Sequence, residues 1–89
     1  MALKIWLDGK LVDEADAKIT VFDHGLLYGD GVFEGIRVYS SRIFELEAHI
    51  KRLYESAKAI RLDIPMGRDE LVKAVEKTVE ANNVIDGYI

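Results

Sequence analysis

A chain of 89 residues, 49% hydrophobic and 31% charged with a single proline, suffices for one small globular domain, and its composition argues against disorder. A net charge of −4 and a pI near 5.1 disfavour a nucleic-acid surface, and the absence of cysteine excludes disulfides and cysteine-ligated metal. The two histidines, His24 and His49, form no HxH or HxxxH pair, and no apolar run is long enough for a signal peptide or a membrane span. The expectation is therefore a cytoplasmic protein with no metal, no nucleic-acid partner and no membrane partner.

Ile5, Trp6 and Leu7 precede Asp8-Gly9, and Leu11-Val12 follow. Asp-Gly between apolar runs predicts a type I′ turn, with positive φ at both central residues, joining antiparallel strands over residues 3–7 and 10–12. Ile19, Val21 and Phe22 read as a short β-like stretch. Gly25, Gly29 and Gly31 then predict a break in regular structure, a tight connection that positions Tyr28 and Phe33. Residues 32–39 read as a strand with two distinct faces, Ser40-Ser41 as a tight turn, and residues 42–44 as a returning strand.

From Glu47 the period changes. Ile50, Leu53, Tyr54, Ala57 and Ile60 follow i, i+3, i+4, i+7 spacing, which predicts an amphipathic helix to about Leu62. Pro65-Met66-Gly67 separates it from a second helix over 68–81. Asp69 and Glu70 occupy that helix's first turn, where the helix dipole favours acids, and Leu71, Val72, Val75 and Val79 form its apolar stripe. Asn82-Asn83 ends it, and residues 84–89 begin a further element. Strands followed by helices predict an α+β domain, an antiparallel β-sheet with two α-helices packed on one face, forming one unit over residues 1–89.

The chemistry-bearing residues cluster on the strand 32–39 and the first long helix. One strand face carries Val32, Glu34, Ile36 and Val38, and reads as core apart from Glu34. A lone buried carboxylate is costly, so Glu34 must lie near an edge or be paired. The other face carries Phe33, Gly35, Arg37 and Tyr39. A ligand wall uses such types: an aromatic to shape a pocket, a glycine for close approach and an arginine to attract a carboxylate. An ordinary solvent face fits the same pattern. The glycine-rich segment lacks GxxxxGK[ST] and does not lead from a strand into a helix, so it is a weak phosphate loop. His49 and Arg52, three apart, share a helix face. Arg52 has the geometry either to hold a phosphate or to snorkel over its apolar neighbours, and spacing permits both.

Four blocks, IWLDGKLV, DHGLLYGDGVFEGIRVY, HIKRLYESAKAIRL and NNVIDGYI, give the chain a resemblance to a known family. Together they resemble the N-terminal domain of branched-chain amino-acid aminotransferases, pyridoxal-phosphate enzymes of fold type IV. The run from Val32 to Arg37 is the most specific block, and its spacing to His49-x-x-Arg52-Leu53 also matches.

The resemblance implies that Arg52 binds the cofactor phosphate and that Phe33, Gly35 and Arg37 line the substrate pocket. It implies that Tyr28 reaches the neighbouring subunit's pocket, hence a homodimer or a higher homo-oligomer, and that Tyr88 lies near the substrate carboxylate. The implied reaction exchanges the amino group of leucine, isoleucine or valine with 2-oxoglutarate, so amino acids and 2-oxo acids are the expected small-molecule partners. The family's Schiff-base lysine belongs to a large C-terminal domain. None of Lys4, Lys10, Lys18, Lys51, Lys58, Lys73 and Lys77 matches it. The chain is thus expected to be the small domain only, with no catalytic residue of its own and no activity alone. Related D-amino-acid aminotransferases and aminodeoxychorismate lyases share the fold but usually differ where this chain has Phe33 and Arg37. A stand-alone binding or dimerisation module is the alternative of another class.

Overall fold

In the computed structural model, which describes residues 3–89, Asp8 and Gly9 both take positive φ (51° and 87°). The two-residue turn therefore closes the predicted hairpin between β1 (Lys4–Leu7) and β2 (Lys10–Asp13), in antiparallel register from Leu7↔Lys10 to Lys4↔Asp13. An ion pair between Lys4 and Asp13 closes its open end, and a 3-10 turn, Glu14–Asp16, follows.

The stretch predicted as β-like at Ile19, Val21 and Phe22 is not a strand. These side chains are exposed and the segment runs irregular into a turn. Apolar and β-branched residues make a strand only when another strand accepts their backbone groups, and among the described residues none does so. The glycine-rich segment departs from expectation in the opposite sense, forming the short helix α1 (His24–Tyr28). Its first turn is held by the Asp23 carboxylate, which accepts from the Leu26 amide at 3.1 Å. Gly29 closes its C-terminus in the left-handed region at φ 72°. Gly29 is a helix stop here, and Asp23 the matching start.

The strand predicted over residues 32–39 is regular only as β3 (Arg37–Tyr39). It is the centre of a three-stranded antiparallel sheet, order β4–β3–β5, with β4 (Arg42–Ile43) and β5 (Gly87–Tyr88) as its edges. Ile36 and Ile89 extend the β3–β5 pairing by two backbone hydrogen bonds, of 2.9 and 2.7 Å. Upstream of Ile36 the chain finds no partner strand among the described residues, so the ladder stops. Ser40 and Ser41 form the β3–β4 turn, both at positive φ (48° and 64°). The Ser40 amide donates to Asp86 Oδ1 and the Ser41 amide to the Ile85 carbonyl, tying the turn to the segment before β5.

Two fourteen-residue helices follow, α2 (Leu46–Ala59) and α3 (Arg68–Ala81). The predicted stripe of α2 holds at Ile50 and Ala57, which are buried, but Ile60 is exposed because the helix ends at Ala59. In α3, Ala74 joins Val79 as a buried residue. The core combines these helical residues with Ile36 and Val38 of the sheet, Val38 being wholly inaccessible. The architecture is α+β as predicted, with two small antiparallel sheets in place of one. Asn82, the C-cap of α3, fastens the hairpin: its Oδ1 accepts from the Lys4 amide at 2.8 Å and its Nδ2 donates to the Lys4 carbonyl at 2.9 Å. Among the described residues no helix is long and apolar enough to cross a membrane.

Candidate functional site

Burial alternates along residues 32–39 even where the regular strand has ended. Val32, Glu34, Ile36 and Val38 turn inward or are half-covered. Phe33, Arg37 and Tyr39 turn outward, with Phe33 90% exposed. One stretch of backbone thus separates two groups of polar and aromatic side chains, because successive residues of an extended chain point to opposite faces.

On the inner side Glu34 is paired, as the cost of a lone carboxylate requires. Its Oε1 accepts from His49 Nδ1 at 2.7 Å and from Arg52 Nη2 at 2.6 Å, and its Oε2 accepts from Arg52 Nε at 2.9 Å. The Glu34 side chain is only 10% exposed while that of Arg52 is 65% exposed, so the carboxylate is the anchor and the guanidinium the open end. The Arg52 hydrogen bonds, then that from His49, pull the Glu34 carboxyl down from about 4.5 to about 2. Glu34 reciprocally pushes Arg52 further up, which keeps the guanidinium charged. Because the ionised carboxylate only accepts, His49 Nδ1 carries a hydrogen, and its 3.4 Å approach to Arg52 Nη2 is a contact between two donors.

The carboxylate binds the guanidinium side-on, through Nε and Nη2. Of its five N–H groups, both on Nη1 and one on Nη2 remain for another anion, in the fork that suits a phosphate or a carboxylate. Beside it lies a hollow of about 210 Å³ lined by Phe44, Glu45, Ala48, His49 and Arg52. The residues present therefore fit one phosphate contact of a bound cofactor. A larger open groove, of about 830 Å³ between β4, α3 and the segment before β5, contains none of the predicted site residues. Every buried side-chain polar atom among the described residues has a partner, so that groove has no unmet polar group to recommend it.

On the outer side the sheet register sets Arg37 directly opposite Tyr88. The Arg37 guanidinium lies 5.3 Å from the Tyr39 ring, which in turn meets Phe44 edge-on at 6.0 Å. Gly35 belongs to the same face, and Tyr88 fills the space over it: a methyl at Gly35 would overlap the Tyr88 hydroxyl and stand 2.8 Å from Cζ. Close approach to Gly35, expected from the sequence, is thus made by Tyr88. Tyr28 lies apart on α1, exposed, its ring 4.5 Å from that of His24 and tilted 40° to it, with His24 Nδ1 also 2.5 Å from Asp30.

The structure therefore gathers Gly35, Arg37 and Tyr88 on one side and sets Arg52 on the other, while Tyr28 and Phe33 project into solvent. The residue that sequence reasoning did not connect to the site is Glu34. Its signal was a carboxylate on an otherwise apolar face, and its partners were the neighbouring pair His49 and Arg52.

Residues 31–89 match the family of class IV amino-transferases. A Methanocaldococcus jannaschii protein assigned as a branched-chain-amino-acid aminotransferase is 58% identical over 87 residues, covering 98% of this chain and 30% of its own. The Thermoproteus uzoniensis branched-chain aminotransferase, solved with norvaline, superposes with TM-score 0.90 at 49% identity, over 99% of this chain and 31% of that one. The T.th. branched-chain amino acid aminotransferase, solved with pyridoxamine 5′-phosphate, does so with TM-score 0.93 at 41% identity, over 99% and 30%. D-Alanine aminotransferases match as well, that of Staphylococcus epidermidis at 37% identity over 86 residues, which are 97% of this chain and 30% of that one. The chain spans about 30% of the length of these relatives. It belongs to the class IV aminotransferase family.

Proposed function

We propose that these residues are the small domain of a pyridoxal 5′-phosphate-dependent transaminase. The enzyme moves the amino group of branched-chain L-amino acids, leucine, isoleucine or valine, to 2-oxoglutarate. The observation that carries this reading is the geometry of Arg52, held side-on by Glu34 with its outer N–H fork exposed. Such a fork suits a phosphate, and Arg52 would hold the cofactor there. When bound, the cofactor supplies the electron sink for removing the substrate's α-proton. Arg37 and Tyr88, opposite each other over Gly35, supply a cation and a hydroxyl for the substrate's carboxylate. Phe33 adds apolar wall, and Tyr28 reaches toward the second subunit of a homodimer.

The lysine that carries the cofactor lies outside these 89 residues, and the chain alone is expected to be inactive. Exposed apolar side chains from Ile19 to Phe33 support a surface covered by the rest of a larger cytoplasmic enzyme. The test is to extend the chain to the relatives' full length and assay it with L-leucine, L-isoleucine and L-valine against 2-oxoglutarate. Arg52→Ala should weaken cofactor binding markedly, and unchanged affinity would remove its assigned role. The D-alanine aminotransferases among the relatives favour a second reading, a D-amino-acid transaminase. Turnover of D-alanine alone would establish it in place of the first.

A further inference from the structure

A carboxylate beside the arginine that is to receive a phosphate presents a conflict. Coulomb's law makes Glu34 repel the anion, and the simplest way to strengthen an anion site is to leave such a group out. Yet Glu34 is the least exposed member of the cluster, and it is held from two directions by His49 and Arg52. Both of its oxygens are used: Oε1 takes two donors and Oε2 takes one. Three contacts on a nearly buried carboxylate fix its plane, and a fixed plane fixes the plane of a guanidinium bound side-on.

We propose that Glu34 is a positioning residue. Its carboxylate, seated by His49, orients Arg52 so that the outer Nη1/Nη2 edge of the guanidinium faces an incoming phosphate. The inference rests on the reading of Arg52 as the cofactor-phosphate ligand. A long arginine side chain on an exposed helix face samples many rotamers, and binding an anion would normally have to order it. Here that ordering is already done, by bonds that use only the two N–H groups a phosphate on the outer edge does not need. His49 acts one step further out: its Nδ1–H occupies the Oε1 lone pair that Arg52 does not, and so stops the carboxylate from rotating away.

The test uses the chain at the relatives' full length, freed of cofactor, and titrates it separately with pyridoxal 5′-phosphate and with pyridoxal, which lacks the phosphate. The readout is the ratio of the two affinities, which a general loss of folding does not move selectively. Glu34→Gln keeps the shape but can accept through only one atom. It is expected to lower the phosphate-dependent ratio about tenfold, as loss of a charge-assisted bond does. A ratio that is unchanged, or that rises because a negative charge has gone, overturns the proposal. His49→Ala leaves both charges of the pair in place and is expected to lower the ratio in the same direction; no change overturns the seating role. Arg52→Ala separates the two levels. If it lowers the ratio while Glu34→Gln does not, only the positioning role falls. If it leaves the ratio intact, the phosphate reading falls and the proposal with it.

Discussion

Gly35→Ala separates what the outer face contributes to folding from what it contributes to binding. Gly35 has no positive φ, so alanine meets no backbone strain there, and its obstacle is the Tyr88 ring. The added methyl would lie 2.8 Å from Tyr88 Cζ and must reach about 3.4 Å for ordinary contact, so the ring carbon has to retreat by about 0.6 Å and the hydroxyl by more. Tyr88 is 69% exposed, and a χ1 swing of roughly 15–20°, set by the hydroxyl, accommodates this within one rotamer well, costing on the order of 0.1–0.7 kcal/mol. Replacing glycine gains roughly 0.4–1 kcal/mol by restricting the unfolded chain. The expected result is a stability within about 0.5 kcal/mol of wild type or slightly above it, with Tyr88 displaced from its place opposite Arg37. Circular dichroism melts of the 89-residue chain read the first, and the KM for the proposed substrate L-leucine in the full-length protein reads the second. We expect KM to rise with little change in Tm. A loss above about 1 kcal/mol would show that Tyr88 is held more firmly than its exposure implies. An unchanged KM would remove Tyr88 and Gly35 from the proposed substrate wall.

Other predictions follow from the fold. Glu34 is held near 2 against an ordinary 4.5, so between those values the unfolded chain binds a proton that the folded chain does not. Its contribution to stability is complete above about pH 4.5 and is lost as pH falls toward about 2. Urea midpoints at about pH 5 and pH 3 should therefore separate less in Glu34→Gln than in wild type, and equal separation refutes the pairing. Ser41→Gly relieves a side chain in the left-handed region and should gain roughly 0.5–1 kcal/mol, a rise of a few degrees in Tm; a fall refutes the turn geometry. Asn82→Ala removes both bonds to Lys4 and should cost roughly 1–2 kcal/mol, with amide exchange accelerated in β1; unchanged exchange there would mean the hairpin is docked by something else.

What was legible in the sequence was local. The Asp8-Gly9 hairpin and α3 depend on residues within a few positions of one another, and both appear where expected, α3 as Arg68–Ala81. What depended on distant partners was less legible. Residues 32–36 alternate as a strand should, but among the described residues only Ile36 pairs its backbone with another strand, at Ile89, and that pairing is set by where α3 delivers the chain. The β-like residues Ile19, Val21 and Phe22 have no partner strand among the described residues. Helix α1 was hidden by its glycines, although its start and stop signals, Asp23 and Gly29, stood in view. At the site, pattern singled out Glu34 on one strand, and His49 with Arg52 on one helix face. Their union required knowing that α2 lies over the inner face of that strand, which no local pattern contains.

The division of labour at the site follows from this packing. Arg37 and Tyr39 flank Val38, which is wholly inaccessible, so both are projected from a backbone that the core immobilises. Arg52 is projected from the helix carrying Ile50 and Ala57 and is then fixed a second time at its far end by Glu34. In both cases the group offered to solvent is exposed and its support is buried. The proposed site, which would hold a cofactor and an amino acid in fixed relation, needs that arrangement, since a support free to move would pass its motion to the ligand. Arg37 and Tyr39 should therefore tolerate substitution with little loss of stability and marked loss of binding. Replacing Arg52, the main partner of the Glu34 carboxylate, should cost both, and replacing the supports, Val38 above all, chiefly stability.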